Sequence, residues 1–195
     1  RRQTLIYTNA GSPRRGTENV LAAVASLRGE FPLLRLRLAG TVSKRSGYGR
    51  FLLRRVRALG LEDCVDFLGA LDESGILREL CAAHLFVMAS YLENSPNSLA
   101  EAMSVGMPCV ASFVGGIPSM VADGQTGLLY PVDDVPLLAE RIRSILVNDE
   151  LAVRLGEQAR EVAATRHDPA TVVSALFDAY GSILARSQPC KVSDA

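Results

Sequence analysis

Residues 85–112 read LFVMASYLENSPNSLAEAMSVGMPCVAS and carry the clearest sign of the fold class. A short apolar run is followed by a loop of proline and small polar residues, then by a helix-length segment, and then by a second apolar run. Strands joined by such a helix pair in parallel through a right-handed crossover, and their apolar character agrees with burial on both faces. The stretch therefore predicts one unit of a parallel α/β sheet.

The same alternation extends over most of the chain. We predict strands at 4–9, 33–40, 64–69, 85–90, 108–113 and 127–132. We predict helices near 16–29, 48–59, 73–83, 97–105 and 117–122. The predicted fold class is α/β: a Rossmann-like, doubly wound parallel sheet of about six strands with a helical C-terminal extension.

The pattern changes after Pro131, where helical periodicity continues almost without interruption. Asp133 or Asp134 can cap the first of these helices, and Asp168 followed by Pro169 begins the last. We predict a Rossmann-like domain over 1–150, a helical extension packing on it over 151–186, and a disordered tail over 187–195. Because the chain opens directly on a strand, we expect it to be a fragment of a longer protein.

Composition argues against several classes of function. Lys plus Arg (21) balances Asp plus Glu (21), so no overall field favours nucleic acid or acidic membranes. The basic stretch 43–57 is typical of the solvated face of an amphipathic helix, with a membrane-surface role as the alternative. The four cysteines are not paired at metal-binding spacing, and no apolar run is long enough to span a bilayer. We predict a cytoplasmic protein without a metal site.

The loop and helix start within 93–101 predict an anion site. Ser95 is a candidate N-cap, and Pro96 suits the first helical position, where its missing N–H costs nothing. The backbone N–H groups of Asn97, Ser98 and Leu99 then have no partners inside the helix. Unpaired donors and the positive end of the helix dipole attract phosphate, and ligands of open α/β sheets bind at this end of the strands.

Two acids flank that predicted site. Glu93 lies in the loop before the helix, and Glu101 lies in its second turn. A carboxylate pairs poorly with phosphate but accepts two hydrogen bonds from neighbouring sugar hydroxyls. Either acid alone would be read as an ordinary surface residue. Together around one anion site, they indicate a ligand with sugars at both ends of a diphosphate, which is a nucleotide sugar.

Residues 90–134 resemble the carboxy-terminal half of glycosyltransferase family 4, whose enzymes have the GT-B fold and retain anomeric configuration. Those enzymes carry two glutamates with seven residues between them, as at Glu93 and Glu101. The segments EAMSVGMPCVAS (101–112), GGIPSMV (115–121) and DGQTGLLYP (123–131) match further family patterns. Upstream, SPRRGTENVLAAVASL (12–27) and VDFLGAL (65–71) are also similar, so the resemblance covers roughly residues 4–150.

The resemblance implies a role for each matching residue. Glu93 would hold the hydroxyls of the donor sugar, Glu101 those of the ribose, and Arg15 would neutralise phosphate charge, where the family usually has lysine. Asn9 stands where the family commonly has arginine, and Arg14 could compensate; Ser119 replaces a family glutamate. Glu93 and Arg15 are thus the candidate catalytic residues. The candidate donor-binding residues are Asn9, Arg14, Arg15, Phe67, Leu68, Gly69, Glu93, Asn97, Ser98, Leu99, Glu101, Gly115 and Gly116.

The resemblance implies a hexosyl transfer from a nucleoside diphosphate sugar to an acceptor hydroxyl, with no required metal or other cofactor. The partners would be the sugar nucleotide, a saccharide or lipid-linked acceptor, and an N-terminal acceptor domain of the same protein, without nucleic acid. By family analogy the biological role would be polysaccharide or glycolipid assembly, with the protein located at the inner face of a membrane as one possibility. A sugar-nucleotide epimerase or phosphorylase of the same architecture and a non-catalytic nucleotide-binding scaffold are the alternatives.

Overall fold

A computed structural model describes residues 3–186 of the chain. Six strands form one sheet: β1 Thr4–Tyr7, β2 Arg35–Ala39, β3 Val65–Gly69, β4 Leu85–Met88, β5 Cys109–Ser112 and β6 Leu128–Tyr130. Seven helices accompany them: α1 Thr17–Leu27, α2 Gly47–Ala58, α3 Glu73–Ala82, α4 Asn97–Ser104, α5 Val135–Val147, α6 Asp149–Arg166 and α7 Pro169–Arg186. The predicted tail at 187–195 lies outside the described residues.

The sheet is parallel throughout, in the order β3-β2-β1-β4-β5-β6. The chain winds from β1 outward to β3 and then returns to place β4 on the other side of β1. This reversal opens a crevice between the loops that leave neighbouring strands, at the end of the sheet where ligands of doubly wound folds bind. The predicted Rossmann-like fold is confirmed.

The two faces of the sheet bury separate apolar cores. Along β1, Leu5 and Tyr7 join one core while Ile6 joins the other, because side chains alternate across a strand. Helices α1, α2 and α5 cover the first face, and α3 and α4 cover the second. Strands covered on both faces explain the nearly continuous apolar runs in the sequence.

One predicted helix is wrong. The stretch 117–122 forms only a 3₁₀ turn at Ile117–Ser119, similar to the turn at Pro13–Arg15. Pro118 lacks an N–H to continue a helical ladder, and the segment after Met120 turns back through Gly124, whose φ is +73°. The chain therefore enters β6 almost directly.

The last two helices differ in how they contact the domain. Helix α6 packs against α4 and α5 and buries Leu155, Ala159 and Ala163 almost completely. Helix α7 instead exposes its large apolar side chains, which are Val172, Val173, Leu176, Phe177, Tyr180, Ile183 and Leu184, each at least 50% accessible. Within 3–186, no helix is long and apolar enough to cross a membrane.

Candidate functional site

A crevice of about 390 Å³ lies at the carboxyl end of the sheet, beside the reversal of strand order. Its walls come from the ends of β1, β2 and β3 and from the facing sides of α3 and α4. The lining residues are Thr8, Asn9, Ala39, Gly40, Thr41, Ala70, Leu71, Ile76, Asn97, Ser98 and Glu101. The helix start predicted from the sequence thus borders a real cavity.

Helix α4 begins at Asn97, so its cap lies one residue later than the candidate Ser95. Pro96, with φ −74° and ψ 108°, is the N-cap in place of Ser95, because its extended backbone lies outside the helix. The Leu99 N–H donates to the Pro96 carbonyl at 3.1 Å, so the predicted third phosphate donor is already used. The N–H groups of Asn97 and Ser98 have no hydrogen-bond partner within residues 3–186, which leaves two backbone donors at the crevice.

Glu101 also lines the crevice, one turn further along α4. Glu101 also lines a second cavity of about 610 Å³ between α3 and α4, so this residue borders both cavities. Partial burial raises the pKa of Glu101, and the nearby Glu73 carboxylate raises it further.

Glu93 has a different environment. Its side chain is 8% exposed and forms an ion pair with the Arg15 guanidinium, and the Ser90 hydroxyl donates to its Oε1 at 2.8 Å. The Tyr7 hydroxyl donates to the Arg15 carbonyl, which fixes the backbone below the guanidinium. The loop after β1 and the loop after β4 are therefore joined by the Arg15–Glu93 ion pair, beside the predicted donor site.

The prediction that both acids face one cavity is not met. Glu101 lines the crevice, whereas Glu93 is absent from its walls and is turned toward Arg15. The reason is electrostatic: a nearly buried carboxylate needs a compensating charge, and Arg15 is the charge within reach. Arg15 is 29% exposed and keeps further N–H donors beyond the one directed at Glu93.

Gly115 and Gly116 pack closely against the loop that carries Glu93, and neither lines the crevice. A Cβ on Gly115 would lie 1.7 Å from the carbonyl oxygen of Glu93, and one on Gly116 would lie 1.6 Å from that of Asn94. The Gly116 N–H also donates to the Glu93 carbonyl at 3.1 Å. The loop that carries Glu93 therefore occupies the space next to the two glycines, and the absence of side chains there lets this loop pack closely.

Near the end of β3, the residues that line the crevice follow the three candidate donor-binding residues 67–69 by one or two positions. The Phe67 side chain points toward α2, and Leu68 packs on the second core, so neither lines the crevice. Gly69 uses its carbonyl to accept the N–H of Gly40. Ala70 and Leu71 border the crevice instead, together with Thr8, Gly40 and Thr41, which sequence reasoning missed. The signal that could have found them is their position at or just beyond the carboxyl ends of predicted strands.

The two residues that depart from the family pattern, Asn9 and Ser119, and the possible substitute Arg14 have distinct settings. Asn9 adopts φ +61° at the rim of the crevice, a left-handed conformation that asparagine tolerates better than most residues. Arg14 is exposed, and its carbonyl accepts the Tyr91 N–H at 2.9 Å. The Ser119 carbonyl accepts from Arg166 of α6 at 2.8 Å, a packing contact away from the crevice.

The parallel sheet, the strand reversal and a crevice with unpaired amides define a doubly wound α/β domain of the nucleotide-binding type. A family model described as glycosyl transferases group 1 matches residues 1–162. The chain belongs to this family, and the resemblance inferred from its motifs is confirmed at this level.

Known proteins agree with the assignment. The chain is 33% identical over 141 residues to N-acetyl-alpha-D-glucosaminyl L-malate synthase of Bacillus anthracis, covering 72% of this chain and 36% of that protein. Sucrose-phosphate synthase of Thermosynechococcus elongatus matches with a TM-score of 0.84 at 30% identity, over 95% of this chain and 46% of that one. Anabaena HepE in complex with UDP matches with a TM-score of 0.84 at 24% identity, over 93% and 49%. The chain thus spans between about a third and a half of these proteins.

Proposed function

We propose that this chain is the donor-binding half of a retaining glycosyltransferase of family 4 that transfers a hexosyl group from a nucleoside diphosphate sugar to an acceptor hydroxyl. The observation that carries the proposal is one crevice, at the reversal of strand order, lined by two unpaired amides of α4 and by Glu101. Amides at a helix start favour the diphosphate, and a carboxylate one turn away suits ribose hydroxyls.

Arg15 and Glu93 would act on the transferred side of the donor. With one guanidinium nitrogen directed at Glu93, the other N–H groups of Arg15 remain for a phosphate oxygen as negative charge develops on the leaving group. Glu93, held by Arg15 and Ser90, would accept hydroxyls of the sugar with its remaining acceptor sites. Charge stabilisation by these groups would need no metal cofactor.

The acceptor site would belong to a separate N-terminal domain of the same protein. The lengths of the relatives support this, since the chain covers 36% of one and 46% of another. We therefore expect the 195-residue chain to bind nucleotide but not to transfer sugar by itself. Hexosyl specificity, polysaccharide or glycolipid products, and a cytoplasmic location at or near the membrane surface belong to the same proposal.

Calorimetry with UDP, GDP and ADP tests the binding function directly. UDP is the first probe, because HepE, a protein of the same fold, was crystallised with UDP and with UDP-glucose. We expect a 1:1 complex with at least one nucleotide, weakened about tenfold by Glu101→Ala because charge-assisted hydrogen bonds to the ribose are lost. Glu140→Ala is the matched control, since Glu140 is an exposed helical glutamate that does not line the crevice. No binding of any nucleotide would favour the scaffold alternative.

A further inference from the structure

Thr8 carries a hydroxyl that the fold leaves without a partner. It follows β1 directly, is 8% exposed, and lines the crevice. Within residues 3–186, its Oγ1 makes no hydrogen bond. We propose that the Thr8 hydroxyl binds an anionic oxygen of the donor diphosphate, as a third contact beside the Asn97 and Ser98 amides. This assignment rests on the proposed function and adds a residue that no motif indicated.

The other buried threonines show that this hydroxyl is unusual. The Thr17 hydroxyl donates to the Ala10 carbonyl at 3.0 Å, and Thr126 Oγ1 accepts the Ala122 N–H at 2.9 Å. Native proteins pair nearly all buried polar atoms, because an unpaired one loses its hydration without compensation. Thr8 lines the crevice, but its Oγ1 has less than 1 Å² of accessible surface, so the proposal includes a rotation about the Cα–Cβ bond that brings the unpaired hydroxyl to a ligand. Valine would fill the same volume without that cost.

The position of Thr8 points to the phosphates. Because Tyr7 faces α1, the alternation of side chains turns Ile6 and Thr8 toward the side of the sheet covered by α3 and α4. On that side the crevice wall includes the start of α4, where the backbone N–H groups of Asn97 and Ser98 are unpaired donors within the described residues. A ligand group that satisfies several converging donors at a helix start is an anion.

The test compares Thr8→Val, Thr8→Ser and Thr8→Ala in the full 195-residue chain. We measure the affinity for whichever of UDP, GDP and ADP the unaltered chain binds, the affinity for inorganic pyrophosphate by displacement, and the melting temperature without ligand. Thr8→Val should weaken nucleotide and pyrophosphate by the same factor, about tenfold. Thr8→Ser should remain close to the unaltered chain, and the free Thr8→Val protein should melt no lower than it.

Thr126→Val is the matched control, because Thr126 is equally buried but remote from the crevice. It should lower the melting temperature, since the Ala122 N–H loses its acceptor, and leave both affinities unchanged. If Thr8→Val fails to fold, the same affinity comparison is made with Thr8→Ala.

Three results would decide against the proposal in distinguishable ways. Unchanged affinities in the variants without the hydroxyl would remove Thr8 from the site while leaving the nucleotide function intact. Weakened nucleotide binding with unchanged pyrophosphate binding would place the hydroxyl on the nucleoside, which overturns the phosphate assignment. If the unaltered chain binds no nucleotide and no pyrophosphate, the proposed function fails and this assignment fails with it.

Discussion

The Arg15 guanidinium and the Glu93 carboxylate form an ion pair that joins the loop after β1 to the loop after β4. Their strands are neighbours in the sheet, although two further strands separate them in the chain. The pair gives the site a positive group and a negative group of fixed relative position. In the absence of ligand, each of the two charges is stabilised by the other.

Removing Arg15 should therefore destabilise the free chain. Arg15→Ala leaves a carboxylate that is 8% exposed without its counter-charge, and we expect a loss of about 1–3 kcal/mol in the free energy of unfolding, measured by urea titration. Arg15→Ala with Glu93→Ala should cost less than the sum of the single changes. Arg143→Ala, which breaks an exposed pair with Glu30, is the control and should cost less. Equal losses would show that the Arg15–Glu93 pair is unimportant.

Glu101 should make stability depend on pH. Its pKa lies above the ordinary value of 4.5 in the folded chain, so the folded state binds more protons than the unfolded state in the range just above that value. The free energy of unfolding contributed by this group therefore falls as pH rises through the raised pKa. Glu101→Gln should remove this fall, and the two proteins should differ least below pH 4.5.

The control for the pH experiment is Glu73→Gln, which removes the second cause of the shift and leaves burial in place. It should reduce the fall only in part. Chemical denaturation over a pH series measures all three proteins. A Glu101→Gln protein whose stability changes with pH like that of the unaltered chain would contradict the raised pKa of this carboxylate.

Gly116 should resist substitution for steric reasons alone. Its φ of −82° suits any residue, but a Cβ would overlap the Asn94 carbonyl oxygen. We expect Gly116→Ala to cost about 1–3 kcal/mol and to shift the loop that carries Glu93. Gly47→Ala is the matched control, because Gly47 begins α2 with open space around its Cα and should be neutral or slightly stabilising. Thermal unfolding of both variants gives the comparison, and similar melting temperatures would refute the steric argument.

Helix α7 should be dispensable for folding, whereas α6 should not. A chain ending at His167 loses α7, whose large apolar side chains are exposed within the described residues, so its melting temperature should stay within about 2 °C of the full chain. A chain ending at Asn148 also loses Leu155, Ala159 and Ala163 from the core and should lose about 3 kcal/mol or more, or fail to fold. A large loss on removing α7 alone would show contacts that its exposure does not suggest.

Much of the candidate site could be predicted because its signals are local. The proline and small residues before α4 mark the helix start, and the amides of Asn97 and Ser98 follow from that start. Glu101 lies one turn further on, and helical spacing alone brings it to the same crevice. The error at Ser95 is a single residue, the usual uncertainty of a helix boundary.

The long-range contacts were missed because no local pattern encodes them. Glu93 was expected beside the anion but is drawn to Arg15, a choice that depends on which strands become neighbours. Gly115 and Gly116 were expected to face a ligand, and they pack against the carbonyl groups of Glu93 and Asn94. In both cases another part of the same chain contacts the residue where a ligand contact was expected.

Six strands, the helices between most of them and a start of α4 suited to an anion could be read from local sequence, because periodicity and helix-capping residues act over a few positions. The strand order, the Arg15–Glu93 pair and the unpaired hydroxyl of Thr8 became known only from the folded chain. These depend on which loops meet at the reversal of the sheet, and that meeting is set by the packing of two cores built from the whole chain.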